Sequence, residues 1–346
     1  MPPTRPPQRI DLTFPARDER LCTLVSRLSG PNAGPHADNL VSNEDSYPRV
    51  AGELARRVRP GGVYLGVGPD QNFTLIAHAR PALAFVVDYR RRNLILQLLH
   101  RALFSLAADR AGYLRLLTAR DPGRLPANPS PQELVAAFTR AEFDRDRLAA
   151  AVVEVDRMLR PLDALRENEW SDLATIQTRL AGPGMSARFL ALPMYPTFGR
   201  LVTTPDRDGR PAHVLASEPL YQAVRSLQRG DCVVPLVVDF AASGSFDRLG
   251  TWLRERGLTV GVLYASDVEF FLLRAGTFGT YLANLSHLPW SDGAVIVRTS
   301  TREIRHPERH RGDSSTTVVR DAAAFLAAGR SGAIRTPDDL FDRRLP

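Results

Sequence analysis

Residues 63–93 of the chain, VYLGVGPDQNFTLIAHARPALAFVVDYRRRN, decide its fold. The apolar runs at 63–68 and 82–87 have the length of buried strands, and the residues between them, 71–79, predict a helix. Directly afterwards, apolar side chains recur at three- and four-residue steps over 91–107, which predicts an amphipathic helix. A strand, helix, strand and helix in this order form a βαβα unit, whose parallel strands require a right-handed crossover.

The rest of the chain extends this unit into one α/β domain. Further strands are predicted at 232–240, 258–264 and 294–297, and further helices at 47–58, 246–256 and 268–285. Residues 109–185 are helical in pattern and poor in strands, which predicts an insertion that buttresses the sheet or covers a site as a lid. We therefore expect an N-terminal arm over 1–45 and a single Rossmann-like domain over 46–346, with a doubly wound, mostly parallel sheet.

Composition excludes several chemistries. The 346 residues are 44% apolar and 24% charged, enough apolar surface to bury a core. All 45 basic residues behind the net charge of +7 are arginines, because the chain contains no lysine. A pyridoxal Schiff base, a Walker A phosphate loop and a Ser-Lys dyad are thereby excluded. The arginines are scattered over predicted helices, which favours solvated charge over a nucleic-acid surface.

Cysteine usage and hydropathy give the expected location. Cys22 and Cys232 are too few for a thiolate zinc site or a disulfide framework, which predicts a reducing compartment and hence the cytoplasm. The N-terminal residues lack the apolar core of a signal peptide, and no apolar run approaches the roughly 18 residues of a membrane span. We therefore expect no membrane anchor.

Candidate ligand-binding residues follow the predicted strands, because an open doubly wound sheet binds its ligands beyond the carboxyl ends of the strands. Gly66 and Gly68 let a ligand approach the backbone closely where the first strand turns into a helix. The same glycines would also suit tight helix-on-strand packing. Asp88 lies 22 residues beyond Gly66, where a carboxylate accepts both ribose hydroxyls of a nucleoside. Alternatively, Asp88 caps the helix that begins near Arg91.

Four stretches carry a resemblance to a known family: 38–46 (DNLVSNEDS), 64–73 (YLGVGPDQNF), 86–93 (VVDYRRRN) and 264–269 (YASDVE). They resemble the signature stretches of a little-characterised bacterial family with a class I methyltransferase-like Rossmann fold, over about residues 38–110 and 215–275. The resemblance implies a pocket for S-adenosylmethionine. The implied cofactor-binding residues are Gly66, Gly68, Gln71, Asn72, Asp88 and Asn93, and the implied substrate-binding residues are Asn43, Tyr264, Ser266 and Asp267.

The chain departs from these patterns at three positions. Tyr64 stands where methyltransferases usually carry an acidic residue, and Asp70 stands where a third glycine is common. Asp70 either disturbs a carboxylate-bearing ligand or holds its amino group. In the last motif, Asp267 takes the place of an expected asparagine and adds a negative charge close to Glu269.

Four acidic side chains are expected to converge at one rim, and carboxylates there favour a cationic or amine-bearing substrate. They are Glu44, Asp239, Asp267 and Glu269. Of these, Glu44, Asp239 or Glu269 would orient or deprotonate the acceptor as the catalytic group. Two alternatives remain open: the acids serve helix N-termini, or Asp239, Asp267 and Glu269 hold a divalent metal.

These observations predict a methyltransferase, or a related alkyl transferase such as an aminopropyl transferase, that acts on a small, amine-bearing molecule. The alternative is a non-catalytic Rossmann-like protein that senses a nucleotide or binds a partner. A hydrolase nucleophile elbow is absent around Ser243, because 241–245 lacks the two glycines of the Gly-x-Ser-x-Gly motif.

Overall fold

The computed structural model describes residues 19–34, 39–302 and 304–342. These residues form a six-stranded sheet in the order β3-β2-β1-β4-β5-β6. Five strands run parallel, and β6 pairs antiparallel with β5 at one edge. The strands are β1 (Val63–Val67), β2 (Leu83–Asp88), β3 (Val233–Val237), β4 (Val260–Ser266), β5 (Trp290–Ser300) and β6 (Thr316–Asp321). The mostly parallel α/β sheet is therefore confirmed, and its architecture is compatible with a Rossmann-like fold.

Fourteen α-helices surround the sheet in the described part of the chain. They are α1 (Leu21–Leu28), α2 (Ala51–Arg57), α3 (Gln71–Ala79), α4 (Arg91–Leu106), α5 (Arg110–Thr118), α6 (Pro131–Arg140), α7 (Arg145–Leu159), α8 (Trp170–Ala181), α9 (Phe198–Thr203), α10 (Glu218–Arg229), α11 (Asp247–Glu255), α12 (Val268–Arg274), α13 (Phe278–Ser286) and α14 (Ala322–Arg330). None of these helices is long and apolar enough to cross a membrane.

The order in which the strands are added to the sheet reverses between β1 and β4. From β1 the chain proceeds outward through β2 to β3, and it then returns to β4 on the other side of β1. Right-handed crossovers consequently place the first and second sets of helices on opposite faces. The helix contacts agree, since α3 packs against α2 and α10, whereas α11 packs against α1 and α13 against α14. The carboxyl ends of β1 and β4 therefore diverge at a switch point, where ligands bind in such sheets.

Buried apolar residues explain why the strands form. Every residue of β1, β2, β3 and β4 is buried, which matches the continuous apolar runs of strands covered on both faces. The outer edge of β3 carries Pro235, which has no backbone N–H to offer another strand. Next to it, Val237 donates its N–H to the Ser29 hydroxyl at 3.1 Å and accepts from Gly30 N at 2.7 Å.

Helices α5 to α9 lie between α4 and α10, in the part of the chain that includes the predicted insertion at 109–185. Its helices begin at good caps, including a capping box formed by Ser130 and Glu133 and a side-chain cap from Asp144. Helices α5, α7 and α8 pack against α4, so this part is a buttress. After α8, a short irregular segment brings Phe189 and Tyr195 to the cleft described below.

The structure differs from the sequence predictions in several elements. The predicted arm contains α1, whose apolar residues join the core, while 1–18 and 35–38 lie outside the described residues. The predicted helix at 268–285 is split into α12 and α13, because Gly276 between them has a φ of +71°. Strand β5 begins at Trp290, whereas the predicted strand covers 294–297, and neither β6 nor α14 was predicted.

Candidate functional site

A cleft of about 620 Å³ lies beyond the carboxyl ends of the parallel strands. Residues that follow β1, β2, β3, β4 and β5 all contribute to its walls, and so do the N-terminal segment and the insertion. Seven of the predicted site residues line it: Asn43, Gly68, Gln71, Asp88, Asp239, Ser266 and Asp267. The switch point of the sheet is therefore an open cleft of the size that small ligands occupy, lined by both polar and apolar side chains.

The loop between β1 and α3 is held by its own side chains. Asn72 donates to the carbonyls of Val67, Gly68 and Pro69 at 3.0–3.1 Å and accepts from the Tyr64 hydroxyl at 2.9 Å. A Cβ at Gly66 would lie 2.1 Å from Asn72 Oδ1. Gly66 and Asn72 therefore shape the loop, and the space above Gly66 belongs to the protein. Gly68, with a φ of +93°, is the glycine that lines the cleft.

Gln71 offers the cleft an unpaired acceptor. Its Nε2 donates to the Tyr264 hydroxyl at 3.3 Å, whereas its buried Oε1 has no hydrogen-bond partner. Gln71 is only 1% exposed and lines the cleft. Because a buried acceptor without a donor is costly, this oxygen is suited to an N–H or O–H group of a ligand.

Asp88 is already engaged by a neighbouring arginine. Arg90 donates to Asp88 Oδ1 from its backbone N at 3.0 Å and from Nε at 2.8 Å, and to Oδ2 from Nη2 at 2.7 Å. A carboxylate has about four acceptor positions, so these bonds leave roughly one for a ligand. While Arg90 stays in place, Asp88 can hold one ribose hydroxyl and not two.

Glu44 lies directly behind the cleft wall. It is fully buried, and its two carboxylate oxygens accept from the Tyr264 hydroxyl at 2.5 Å and from the Ser266 hydroxyl. Burial raises the pKa of Glu44 from 4.5 to about 7, and the nearby negative charge of Asp267 adds to the shift. Hydrogen bonds connect Glu44 to two residues of the cleft: directly to Ser266, and through the Tyr264 hydroxyl to Gln71.

The remaining cleft acids are Asp267 and Asp239. Asp267 accepts from the Thr301 hydroxyl at 3.0 Å, and burial raises its pKa. Asp239 accepts from the backbone N of Ala241 at 2.9 Å. Both carboxylates line the cleft, and so does Asn43.

Glu269 lies elsewhere. It is 1% exposed, pairs with Arg298 at 2.9 Å and accepts from the Tyr281 hydroxyl at 3.0 Å. Glu269 does not line the cleft. Of the four acids predicted at the rim, only Asp239 and Asp267 line the cleft. Glu44 lies behind the cleft wall, and Glu269 belongs to a separate ion pair.

Asp70 and Asn93 also stand apart from the cleft walls. Asp70 accepts from the backbone N of Ser42 at 2.9 Å, and burial raises its pKa to about 6. It therefore anchors the segment that carries Glu44. Asn93, in the first turn of α4, is 5% exposed and does not line the cleft.

Several cleft residues were not predicted from the sequence. They are mostly aromatic or polar side chains from the insertion and from helix or loop positions: Asn39, Arg90, Phe189, Tyr195, Phe271 and Thr301. Thr301 follows β5 and Arg90 follows β2, so the rule for strand ends contains a signal for both. Phe189 and Tyr195 come from the far side of the insertion, where no local pattern marks them.

A metal site finds no support in the geometry. Across the described ranges, no three carboxylate, imidazole or thiolate side chains come together as metal ligands would. Asp239, Asp267 and Glu269 are also poorly placed to hold a divalent ion together, because the Glu269 carboxylate is already paired with Arg298.

The chain matches a family model over most of its length. The model of a family described as a domain of unknown function, DUF7790, matches residues 40–331. None of the curated proteins matches the chain significantly. The matched range contains the whole sheet and every cleft residue from Asn43 onward.

Proposed function

The chain belongs to the DUF7790 family, and we propose that its cleft binds S-adenosylmethionine and transfers an alkyl group to a small, amine-bearing acceptor. The observation that carries this proposal is the meeting of Gly68, Gln71 and Asp88 in one cleft at the switch point of the sheet. These residues belong to the β1 and β2 ends, where nucleoside cofactors bind in doubly wound folds. The likeness of the sequence to class I methyltransferases points in the same direction.

The cleft residues fit such a cofactor in three respects. The unpaired Gln71 Oε1 can accept a hydrogen bond from an amino or hydroxyl group. Asp88 retains about one acceptor position for a ribose hydroxyl, and the Gly68 backbone lies open to the cleft without a side chain. The volume of about 620 Å³ accommodates a nucleoside with an amino-acid tail and a small acceptor.

The charge of the cleft supports a cationic ligand and an amine acceptor. Asp239 and Asp267 face it directly, and their negative charge attracts cations. S-adenosylmethionine supplies a methyl group that is activated by a positively charged sulfur. The protein then has to align donor and acceptor and to remove a proton from the acceptor. Glu44 can receive that proton through the Ser266 hydroxyl, because its carboxylate does not reach the cleft itself.

Calorimetry tests the proposal. S-adenosylmethionine and its demethylated product should bind the wild-type protein, and a ligand at 100 times its dissociation constant should stabilise it by about 2.7 kcal/mol. Asp88→Ala should remove binding. Asp172→Ala, which breaks the ion pair between Arg92 of α4 and Asp172 of α8, is the matched control and should leave binding intact. Equal affinity of wild type and Asp88→Ala would refute the proposed binding mode.

Arg90 favours a second candidate function. Because Arg90 satisfies most of Asp88 without a ligand, the same fold also suits a non-catalytic protein that senses a nucleotide or binds a partner. Incubation with S-adenosylmethionine and a panel of amines separates the two. Methylated product supports the transferase, and binding without turnover supports the sensor.

A further inference from the structure

Ser266 occupies a strained position at the cleft. It is the last residue of β4, and α12 begins two residues later at Val268. Its φ of +55° is unusual for a residue with a side chain. Strained residues of this kind are concentrated at functional sites, and hydrolases place a nucleophilic serine on a sharp strand-to-helix turn so that its hydroxyl is presented to the substrate. Residues 264–268 lack the two glycines of the Gly-x-Ser-x-Gly motif, so the comparison rests on the turn and not on the motif. Ser266 lines the cleft.

The Ser266 hydroxyl is paired with a base. Its Oγ donates to Glu44 Oε1. The other carboxylate oxygen of Glu44 accepts from the Tyr264 hydroxyl at 2.5 Å, and Gln71 Nε2 donates to that hydroxyl at 3.3 Å. A nucleophile, a base and a group that orients the base therefore follow one another by hydrogen bonds, which is the arrangement that activates a serine.

We propose that Ser266 is a nucleophile activated by Glu44, and that the cleft hydrolyses carboxylic esters with an apolar acyl group. This activity goes beyond alkyl transfer and needs no cofactor. Phe189, Tyr195 and Phe271 supply apolar surface to the cleft for the acyl group. Asp239 and Asp267 disfavour acyl groups that carry a negative charge.

The reaction proceeds in two balanced steps. Ser266 Oγ forms a bond to the ester carbonyl carbon, its proton passes to Glu44, and the carbon–oxygen bond to the alcohol breaks as the alcohol takes up that proton. Water then attacks the acyl-serine, gives one proton to Glu44 and releases the carboxylic acid, while Ser266 regains its proton. The sum is ester and water in, acid and alcohol out.

The protonation state of Glu44 suits this role. Because its pKa is raised to about 7, Glu44 holds a proton more strongly than an ordinary carboxylate and still releases it near neutral pH. The titratable groups that face it are Asp267, Tyr264, Tyr64 and Tyr47. Burial holds the pKa values of the three tyrosines well above their usual range, so Asp267 is the neighbour that can change its charge alongside Glu44.

The experiment is covalent labelling of the full-length protein with a fluorophosphonate, followed by mass spectrometry of the intact protein and its peptides. In this reaction the serine oxygen bonds to phosphorus and fluoride leaves. We expect one adduct per chain at Ser266, and a labelling rate that rises with pH through about 7 as Glu44 loses its proton. Ser266→Ala should abolish the adduct, and Glu44→Gln should slow labelling by about 100-fold.

The matched control is Ser300→Ala. Ser300 ends the neighbouring strand β5, has the same 8% exposure as Ser266 and has no hydrogen bond to Glu44, so its loss should not change the rate. A folded wild-type protein that forms no adduct at Ser266, or a Glu44→Gln variant labelled at the wild-type rate, would overturn the proposal. Failure of labelling would not affect alkyl transfer, which is tested by cofactor binding.

Discussion

Two buried glutamates near the carboxyl end of β4 show how their partners determine what a buried carboxylate can do. Glu44 and Glu269 are equally inaccessible, at 0% and 1% exposure. Glu269 faces Arg298 and a tyrosine, whereas the hydrogen-bond donors around Glu44 are the hydroxyls of Tyr264, Ser266 and Thr299. Burial raises the pKa of both, but only at Glu269 does an arginine oppose the shift. The surroundings of Glu44 therefore suit proton exchange, whereas those of Glu269 suit a structural ion pair.

The largest expected effect is at the structural glutamate. Arg298→Met should lower the free energy of unfolding by about 3–5 kcal/mol, because it leaves Glu269 buried without its cation. Urea denaturation measures the loss. The double variant Arg298→Met with Glu269→Leu is the control, and we expect it to recover most of the stability, since a well-packed apolar pair removes the uncompensated charge. A single variant as stable as the wild type would show that Arg298 does not stabilise the buried charge of Glu269.

The next effect is a pH dependence due to Glu44. The folded protein keeps the Glu44 proton up to about pH 7, while the unfolded chain releases it near its ordinary value of 4.5. The stability that this proton contributes is fully present below pH 4.5 and is lost as the pH rises through 7, a change of about 3 kcal/mol. Glu44→Gln cannot titrate. Relative to wild type, it should therefore gain about 3 kcal/mol between pH 4.5 and 7.5 in chemical denaturation. A constant difference across this range would mean that Glu44 has an ordinary pKa.

The smallest effect compares two tyrosines. Tyr264→Phe removes a hydroxyl donor from Glu44, and Tyr281→Phe removes one from Glu269. At pH 8 we expect Tyr264→Phe to cost about 2 kcal/mol, because Glu44 loses one of its few donors, and Tyr281→Phe about 1 kcal/mol, because Glu269 keeps Arg298. Thermal or urea unfolding of both variants tests the order. Equal losses would show that the arginine does not distinguish the sites.

Much of the fold was accessible from the sequence, because local patterns encode it. The glycine turn after β1 and the apolar run of β2 gave the central βαβα unit, and α3 has the predicted bounds of 71–79. Strand β6 was missed because it forms an antiparallel edge next to β5, in a stretch rich in threonine and arginine. Helix α1 was missed because its short apolar periodicity lies between proline-rich and glycine-rich segments.

The sequence predicted where the candidate site lies, but it did not predict most of the hydrogen bonds and ion pairs within it. The rule for strand ends brought Gly68, Asp88, Asp239 and Ser266 to one cleft. The hydrogen bond between Glu44 and Ser266 joins residues 222 positions apart, and no local pattern encodes such a pair. Likewise, Glu269 shares a motif with Ser266, yet the turn into α12 directs it toward Arg298 instead of the cleft.

The segment that follows α1 covers the outer edge of β3 and so protects it against pairing with strands of other molecules. Parallel sheets end in strands with free hydrogen-bonding groups, and such an edge invites the strands of other molecules. At β3, Ser29 and Gly30 satisfy the outward N–H and carbonyl of Val237, and Pro235 has no N–H to donate to another strand. A variant that lacks residues 1–30 would lose this cover. The turbidity of its solutions should then increase with protein concentration, because uncovered β3 edges pair with one another in aggregates.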